Sequence, residues 1–485
     1  MGGFLGSPSA LKAWIEPQVE EWCGSVQILE EIAQRYPQTA YYGLAVSLQN
    51  EWQHVCRTVP GVGAYMDPLE AALSSFLSTL LDAPFDDDGR LRTLLGHKVK
   101  QAGMGIPNPT AFAAKAYQTS RGACENLIAA LKQRLDIDVA EHKRQVARAR
   151  KKGREDREEA EQLEVTRILE GAPRAEANRV KRAKESGAWL TAVPSHKNGT
   201  TLSKEEFSDN LRYRNGFEPL NIPQFCDGCG AEFTTEHGLN CKVGGLVHER
   251  HDATADTWIY LGAQAFQPSA CSHKPMVNEG NPRGRGNGGA GAPAVAPVFR
   301  RGRRGGNRGD GRNDANTATA TNTGAAEGAA ASVVETDLEG DKGIRGFWSV
   351  GRECIFDIRI SNTESRTHRN KDPTKVLQAQ EKEKRGKYEG ACHEQRKDFT
   401  PLVYSIDGMA GPATRAAEKR MASRLAWKWK REYGEMVGYI KTRMALAVVR
   451  SNSLMWRGSR TRRRAHLGSI ENGGAMDTWQ YFGNE

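Results

Sequence analysis

The sequence predicts an α+β multidomain chain: an N-terminal helical domain, a CCHC zinc knuckle and a C-terminal α/β domain. Three observations carry that prediction. Apolar residues recur at intervals of three and four over most of the first 131 positions, the period of a helix with one buried face. Cys226, Cys229, His237 and Cys241 fall within sixteen residues at spacing C-x2-C-x7-H-x3-C. Three soft sulfurs and one borderline nitrogen make the donor set of a closed, tetrahedral structural zinc site. Beyond position 332 the apolar patterning reads strand, strand, helix, strand, helix, helix, the order of a small α/β unit.

Residues 1–135 form the helical region. Leu11, Ile15, Val19 and Trp22 open the first amphipathic stripe, and Ile28, Ile32 and Tyr36 continue it at steps of four before Pro37. Leu44, Leu48 and Trp52 mark a second helix, Pro68–Leu81 a third, and Ala111–Leu131 a fourth. The aspartates after Phe85 mark a loop. Residues 136–186 are charged, with a basic run from Lys143 to Arg154 ahead of an acidic run from Glu155 to Glu164. Such patterning predicts a solvated single helix or short coiled coil whose basic half also suits a phosphate backbone.

Residues 187–278 hold the knuckle with its flanking helices. Ser203 and Glu206 are spaced as a capping box, and Gly228 and Gly230 give the knuckle its backbone freedom. A helix is expected from His251 to Phe266. His248 and His251 are reserve ligands, although Cys241 already completes the set of four. Residues 279–332, rich in Arg, Gly and Ala, have little to bury and read as a disordered insertion. Residues 333–456 contain strands over Ile344–Val350, Glu353–Ile360 and Phe399–Ile406. Helices there cover Pro373–Cys392, Gly411–Tyr433 and Glu435–Ser453, and 457–485 is a basic tail.

The charge balance points to a polyanion. There are 69 Lys and Arg against 59 Asp and Glu, a formal net charge of +10, which favours DNA or RNA as partner. Nine cysteines, three of them in the knuckle and the rest scattered, do not form a secreted disulfide framework. Neither a signal peptide nor an apolar run of membrane length is legible. An intracellular chain is the expectation.

One further constellation could carry chemistry. Asp341 precedes the first strand, and Asp357 lies near the end of the second with Arg359 two residues on, on the same strand face. Two carboxylates on adjacent strand ends can hold Mg²⁺, with the Ile358 carbonyl as a further ligand, and so polarise a phosphodiester. On the next helix Glu381, Lys384 and Tyr388 stand at i, i+3 and i+7, one face that could meet such a site.

Together these motifs resemble the C-terminal region of non-LTR retrotransposon polyproteins that carry a restriction-like endonuclease, similar in fold to the PD-(D/E)-x-K nucleases. The matching phrases include Cys226-Asp-Gly-Cys-Gly-Ala, Arg250-His-Asp, Arg345-Gly-Phe-Trp348, Phe356-Asp-Ile-Arg-Ile and Phe399-Thr-Pro-Leu-Val403. Trp14, Trp22, Tyr36-Pro-Gln38 and Glu51-Trp52 are similar to the segment that follows the reverse transcriptase palm in such polyproteins, and Gly2-Gly-Phe-Leu-Gly6 to the end of that palm. The resemblance implies a nuclear chain that nicks target DNA beside a reverse transcriptase of the same element. Asp341 and Asp357 would hold magnesium. Arg359 and Lys384 would contact the scissile phosphate, and Tyr388 would position it. The sequence departs from the pattern in three places. Gly340 stands where proline is expected, Arg359 where lysine is, and Lys274-Pro275 where an acid precedes the proline. There is no Tyr-x-Asp-Asp polymerase signature. The alternative expectation is a catalytically degenerate module that only binds nucleic acid.

Overall fold

A computed structural model of the chain describes residues 3–85, 89–277 and 338–461. The insertion 279–332, the tail beyond 461, the aspartates 86–88 and Gly2 lie outside these residues. What is described is a mixed α+β fold, mostly helical, with one four-stranded sheet.

The helical region contains α1 (Pro8–Ala33), α2 (Pro37–Tyr42), α3 (Gln49–Thr58), α4 (Asp67–Leu81), α5 (Arg90–Gly96), α6 (Pro109–Ala123) and α7 (Glu125–Gln133). A π-helical run, Gly43–Leu48, joins α2 to α3. The first stripe holds: Leu11, Ile15, Val19 and Trp22 are buried. Its continuation does not. The buried face of α1 runs on through Val26 and Ala33, whereas Ile28, Ile32 and Tyr36 are exposed. A stripe of period 3.6 needs alternating steps of three and four, and steps of four alone walk off the core face.

Next come α8 (Val139–Ile168) and α9 (Arg174–Ser186). The single charged helix expected here is broken at Gly171 and Pro173, and it is not free in solvent. Val165 is buried with Leu94, Val180 and Ala183, and Glu158 accepts from Lys98 and Lys100. Helix α9 also docks on the segments after Ser361 and Ser405. Its Arg182, fully buried, pairs with Glu364 and Asp407, and Asn178 Nδ2 donates to the carbonyls of Arg369 and Lys371.

The remaining elements are α10 (Lys204–Arg214), α11 (Thr235–Asn240), α12 (Leu246–Ala265), β1 (Cys271–His273), β2 (Lys342–Arg345), β3 (Glu353–Ser361), α13 (Pro373–Glu394), β4 (Asp398–Ser405), α14 (Pro412–Trp429) and α15 (Tyr433–Arg457). The capping box of α10 is present, with Ser203 and Glu206 exchanging hydrogen bonds. The sheet order is β1-β2-β3-β4, antiparallel over the first two pairs and parallel between β3 and β4, which α13 connects. Strand β1 has only three residues and no apolar alternation, so no strand is expected there from the residues alone. Strand β2 is shorter than expected because Gly346 (φ +78°) turns the chain straight after Arg345.

Each face of the sheet is covered. Phe356, Ile358 and Leu402 face Trp258 of α12, Met421 of α14 and Ile440 of α15. Ile355 and Phe399 lie on the opposite face with Tyr388 and Cys392 of α13. Alternation along β3 therefore directs Asp357 toward α13.

Helix α15 runs through three cores. Met436, Ile440 and Met444 belong to the core beneath the sheet, and Ala445, Leu446 and Val449 to that of the N-terminal helices. Met455 and Trp456 belong to a third, with Leu239, Leu246 and Ile406. The N-terminal core also includes Trp189, Leu202 and Phe207. The core of the N-terminal helices thus draws residues from both sides of positions 135, 186 and 332. Trp456 is fully buried, so Trp456→Ala should destabilise the fold by about 3–5 kcal/mol in urea unfolding. Ile28→Ala, on the exposed face, should stay within about 0.5 kcal/mol.

Candidate functional site

Two groups of side chains could carry chemistry. The first is the Cys–His cluster. Cys226 lies in a tight turn in which the Gly230 N–H donates to the Cys226 carbonyl at 2.9 Å and the Cys226 N–H to Ala231 at 2.8 Å. Helix α11 brings in His237. The hydroxyl of Thr234 accepts from its N–H as the helix cap, and the Cys241 N–H returns to the His237 carbonyl. Gly230 adopts φ +74°, as a knuckle turn requires.

The four ligand atoms lie within 4.8 Å of one another. Cys226 Sγ is 3.9 Å from Cys241 Sγ, Cys229 Sγ is 3.9 Å from Cys241 Sγ, and Cys229 Sγ is 3.4 Å from His237 Nε2. A zinc ion bonded at about 2.3 Å to sulfur and about 2.0 Å to nitrogen sets tetrahedral edges of about 3.8 and 3.5 Å. The cluster can hold a metal ion, and its size is compatible with structural zinc. Burial opposes ionisation of Cys226, but the Cys229 and Gly228 N–H groups and the His237 side chain lower its pKa to about 6. The thiolate a metal needs is therefore favoured at neutral pH.

The knuckle is clamped to the chain end. Asp227 accepts from the Arg460 N–H at 3.0 Å and from the Ser459 hydroxyl at 2.6 Å. The buried Arg460 guanidinium donates to the carbonyls of Gly238 and Met455 and lies over the Phe233 ring. Gly228 faces this clamp: a Cβ there would sit 2.7 Å from Arg460 Cβ. Arg457 pairs with the buried Asp209. The expected tail thus begins later than 457, since its first residues serve as this clamp.

The second site is built on β2 and β3. Lys342 pairs with Phe356, so continuing the register one step sets Asp341 opposite Asp357 on one face. Two carboxylates in that relation repel each other unless countered. Asp341 Oδ2 accepts from the Ile358 N–H at 2.6 Å and bonds His251 Nε2 at 3.1 Å. Burial opposes its ionisation, but these partners and the Lys384 charge hold its carboxyl below the usual range. Hydrogen bonding to Asp341 raises the His251 pKa to about 9. Lys384 Nζ closes an ion pair on Asp357 Oδ2, a buried oxygen with no aligned hydrogen bond. Burial, and then the neighbouring Asp357, push the Tyr388 phenol well up, so it stays a donor at neutral pH.

Asp341, Asp357, Lys384 and Tyr388 are thus brought together, and His251 joins them. Sequence reasoning placed His251 only as a reserve ligand of the knuckle. It lies one helical turn into α12 and points away from the cluster, toward the sheet. The phrase Arg250-His251-Asp252 was the available signal. Lys274 also lies beside Asp341, donating its N–H to the Asp341 carbonyl at 3.0 Å.

Two predicted residues are engaged elsewhere. Glu381 accepts from the Ala413 and Thr414 N–H groups at the start of α14. Burial pushes its carboxyl up, and those N–H groups partly offset the rise. Helix α14 has Gly411 at its cap and no acid in its first turn, so Glu381 supplies both functions from α13. One face of a helix spans neighbours on both sides, which is why i, i+3 and i+7 did not ensure a shared site. Arg359 pairs with Glu383 at 2.7 Å and lines a groove with Arg174, Lys371 and Lys375. Among the described residues, the Cys–His cluster is the only group of three or more metal-ligating side chains converging on one point. No helix among them is long and apolar enough to cross a membrane. No protein-family model matches the sequence, and no curated protein does.

Two measurements test these assignments. The purified chain should carry one zinc by elemental analysis, and a strong chelator should remove it and lower the melting temperature. Cys226→Ala should reproduce that loss. Glu381→Ala should cost about 1–2 kcal/mol of stability in urea, as loss of a helix cap does.

Proposed function

We propose that the chain binds nucleic acid and that Asp341 and Asp357 form a phosphodiester-cleaving site on a restriction-like α/β fold, with the Cys–His cluster as its structural zinc. One observation carries this reading: two carboxylates sit across adjacent strands with a lysine, a tyrosine and a histidine around them. Perturbed, partly buried ionisable groups held against one another are the mark of a chemical site. The resemblance to non-LTR elements supports the same assignment. It extends it to target-DNA nicking in the nucleus beside a reverse transcriptase of the same element.

Magnesium suits this donor set on one count. Asp357 Oδ2 is buried without an aligned hydrogen bond, and Asp341 is held ionised. Magnesium is commonly held by one or two carboxylates, water and substrate phosphate, and it would supply charge at the phosphorus and an activated water. The protein groups have their own tasks. His251 orients Asp341. Lys384 neutralises Asp357 in the absence of substrate and can turn its charge to a phosphate oxygen. Tyr388, kept protonated, can donate to the same phosphate.

A second reading has its own support. Arg359 is held by Glu383, and no third acid joins the two aspartates in a metal-ligating group among the described residues. A binding module with a degenerate nuclease fold would look like this. Nicking of supercoiled DNA by the full chain in magnesium separates the readings. Cutting is expected in the wild type and in Glu381→Gln, and only background in Asp357→Ala. Equal rates in wild type and Asp357→Ala would sink the nuclease assignment. Binding that falls steeply with salt, without cleavage in any divalent metal, would establish the second reading.

A further inference from the structure

Remote from both sites, a groove of about 960 Å³ opens between α3, α6 and α8. Arg57 enters from α3, Phe112 from α6, and Lys143, Arg150 and Arg157 from α8; no acidic side chain lines it among the described residues. We propose that this groove binds a single-stranded polynucleotide through its phosphate backbone. The proposal extends the nucleic-acid reading to a second surface and makes no use of the cutting site.

The argument begins with spacing. Lys143, Arg150 and Arg157 stand at i, i+7 and i+14, which places them on one face of α8 about 10.5 Å apart. A row of cations at even intervals on a rigid rod gives a regular positive track along which a polyanion can lie.

Charge pairing is distributed unevenly around the helix. Arg144 and Arg148 pair with Glu141, and Lys151 with Glu155, all away from the groove. The acidic half of α8 is also engaged, with Glu158 on Lys98 and Lys100 and Glu164 on His97. Among the described residues Arg57, Lys143 and Arg150 have no acidic partner, and Arg157 lies over the Phe112 ring with its centroid 6.0 Å away. Glu158 and Glu164 are used elsewhere and no acid lines the groove, so the charge of Arg57, Lys143 and Arg150 is left for a ligand.

The floor supports a nucleic acid over an acidic peptide. Phe112, Ala116 and Val146 form an apolar surface beside the cations, and Arg157 extends the Phe112 ring face. Aromatic and guanidinium planes next to a cationic track are how sequence-tolerant proteins hold bases and phosphates together. A groove floored by side chains between helices admits one strand rather than a duplex. His142, whose buried Nδ1 has no partner, adds a polar group at the same wall.

The test is fluorescence anisotropy of the full chain, without divalent metal, on an oligothymidylate and an oligouridylate of roughly 20 nucleotides. Lys143→Gln/Arg150→Gln is compared with Lys152→Gln/Arg154→Gln, which removes the same charge from α8 outside the groove. The groove pair should weaken binding roughly 10-fold and reduce the slope of log affinity against log salt by about 1.4. The control pair should change affinity less than about threefold. DNA and RNA affinities within about threefold of each other would assign the shared backbone as ligand, and a larger gap would add sugar recognition at the same groove. Equal losses in both pairs, or no binding by the wild type, would overturn the proposal. So would displacement by polyglutamate as effective as by oligonucleotide, which assigns the groove to an acidic protein. Each of these failures leaves nicking and its dependence on Asp357 untouched.

Discussion

Helix α15 is shared by three hydrophobic cores, and the arrangement of the rest depends on that sharing. Its first turns cover the sheet through Met436 and Ile440, its middle closes the N-terminal helices through Leu446 and Val449, and its end buries Trp456 against α11 and α12. One rigid rod in three cores fixes their relative positions, because none can move without opening a close-packed contact in another. The Asn452 amide, which donates to Ile406 and Asn210, and Arg457 on Asp209 add polar ties along the same rod.

The Cys–His cluster takes its place from this rod. Trp456 Nε1 donates to the Thr235 carbonyl at the start of α11, and Arg460 holds the knuckle's carbonyls and its Phe233 ring. A knuckle of this kind has little apolar surface of its own, so the clamp, with a metal once bound, would supply what a core does elsewhere. Helix α12 then leads from the knuckle to the sheet and carries His251 to Asp341. The two sites are therefore connected through the first turns of one helix, although their chemistry is separate.

Much of the architecture was legible in sequence. Elements with a strong local signal came through: the stripe on α1 as far as Trp22, the capping box on α10, the spacing of the four ligands, and the strands around Phe356 and Leu402. Others had no local signal. Strand β1 exists only because β2 offers it an edge across a long insertion. Glu381 reads as part of a site until α14 is seen to lack an acid at its own N-terminus. The docking of α9 rests on Arg182, a residue whose burial makes sense only beside Glu364 and Asp407.

The sequence by itself determined which side chains could bind a metal, most of the longer helices and strands, and that two aspartates lie near strand ends. These follow from spacing and period, which act over a few residues. Only the tertiary structure decided which charges meet. It set Asp341 across from Asp357, gave Lys384 to one and His251 to the other, sent Glu381 to a helix cap and left one face of α8 unpaired. Charge pairing is a relation between elements far apart in the chain. Local patterning cannot specify it, because the same acid can end a helix, hold a metal or neutralise a lysine according to what packing brings within reach.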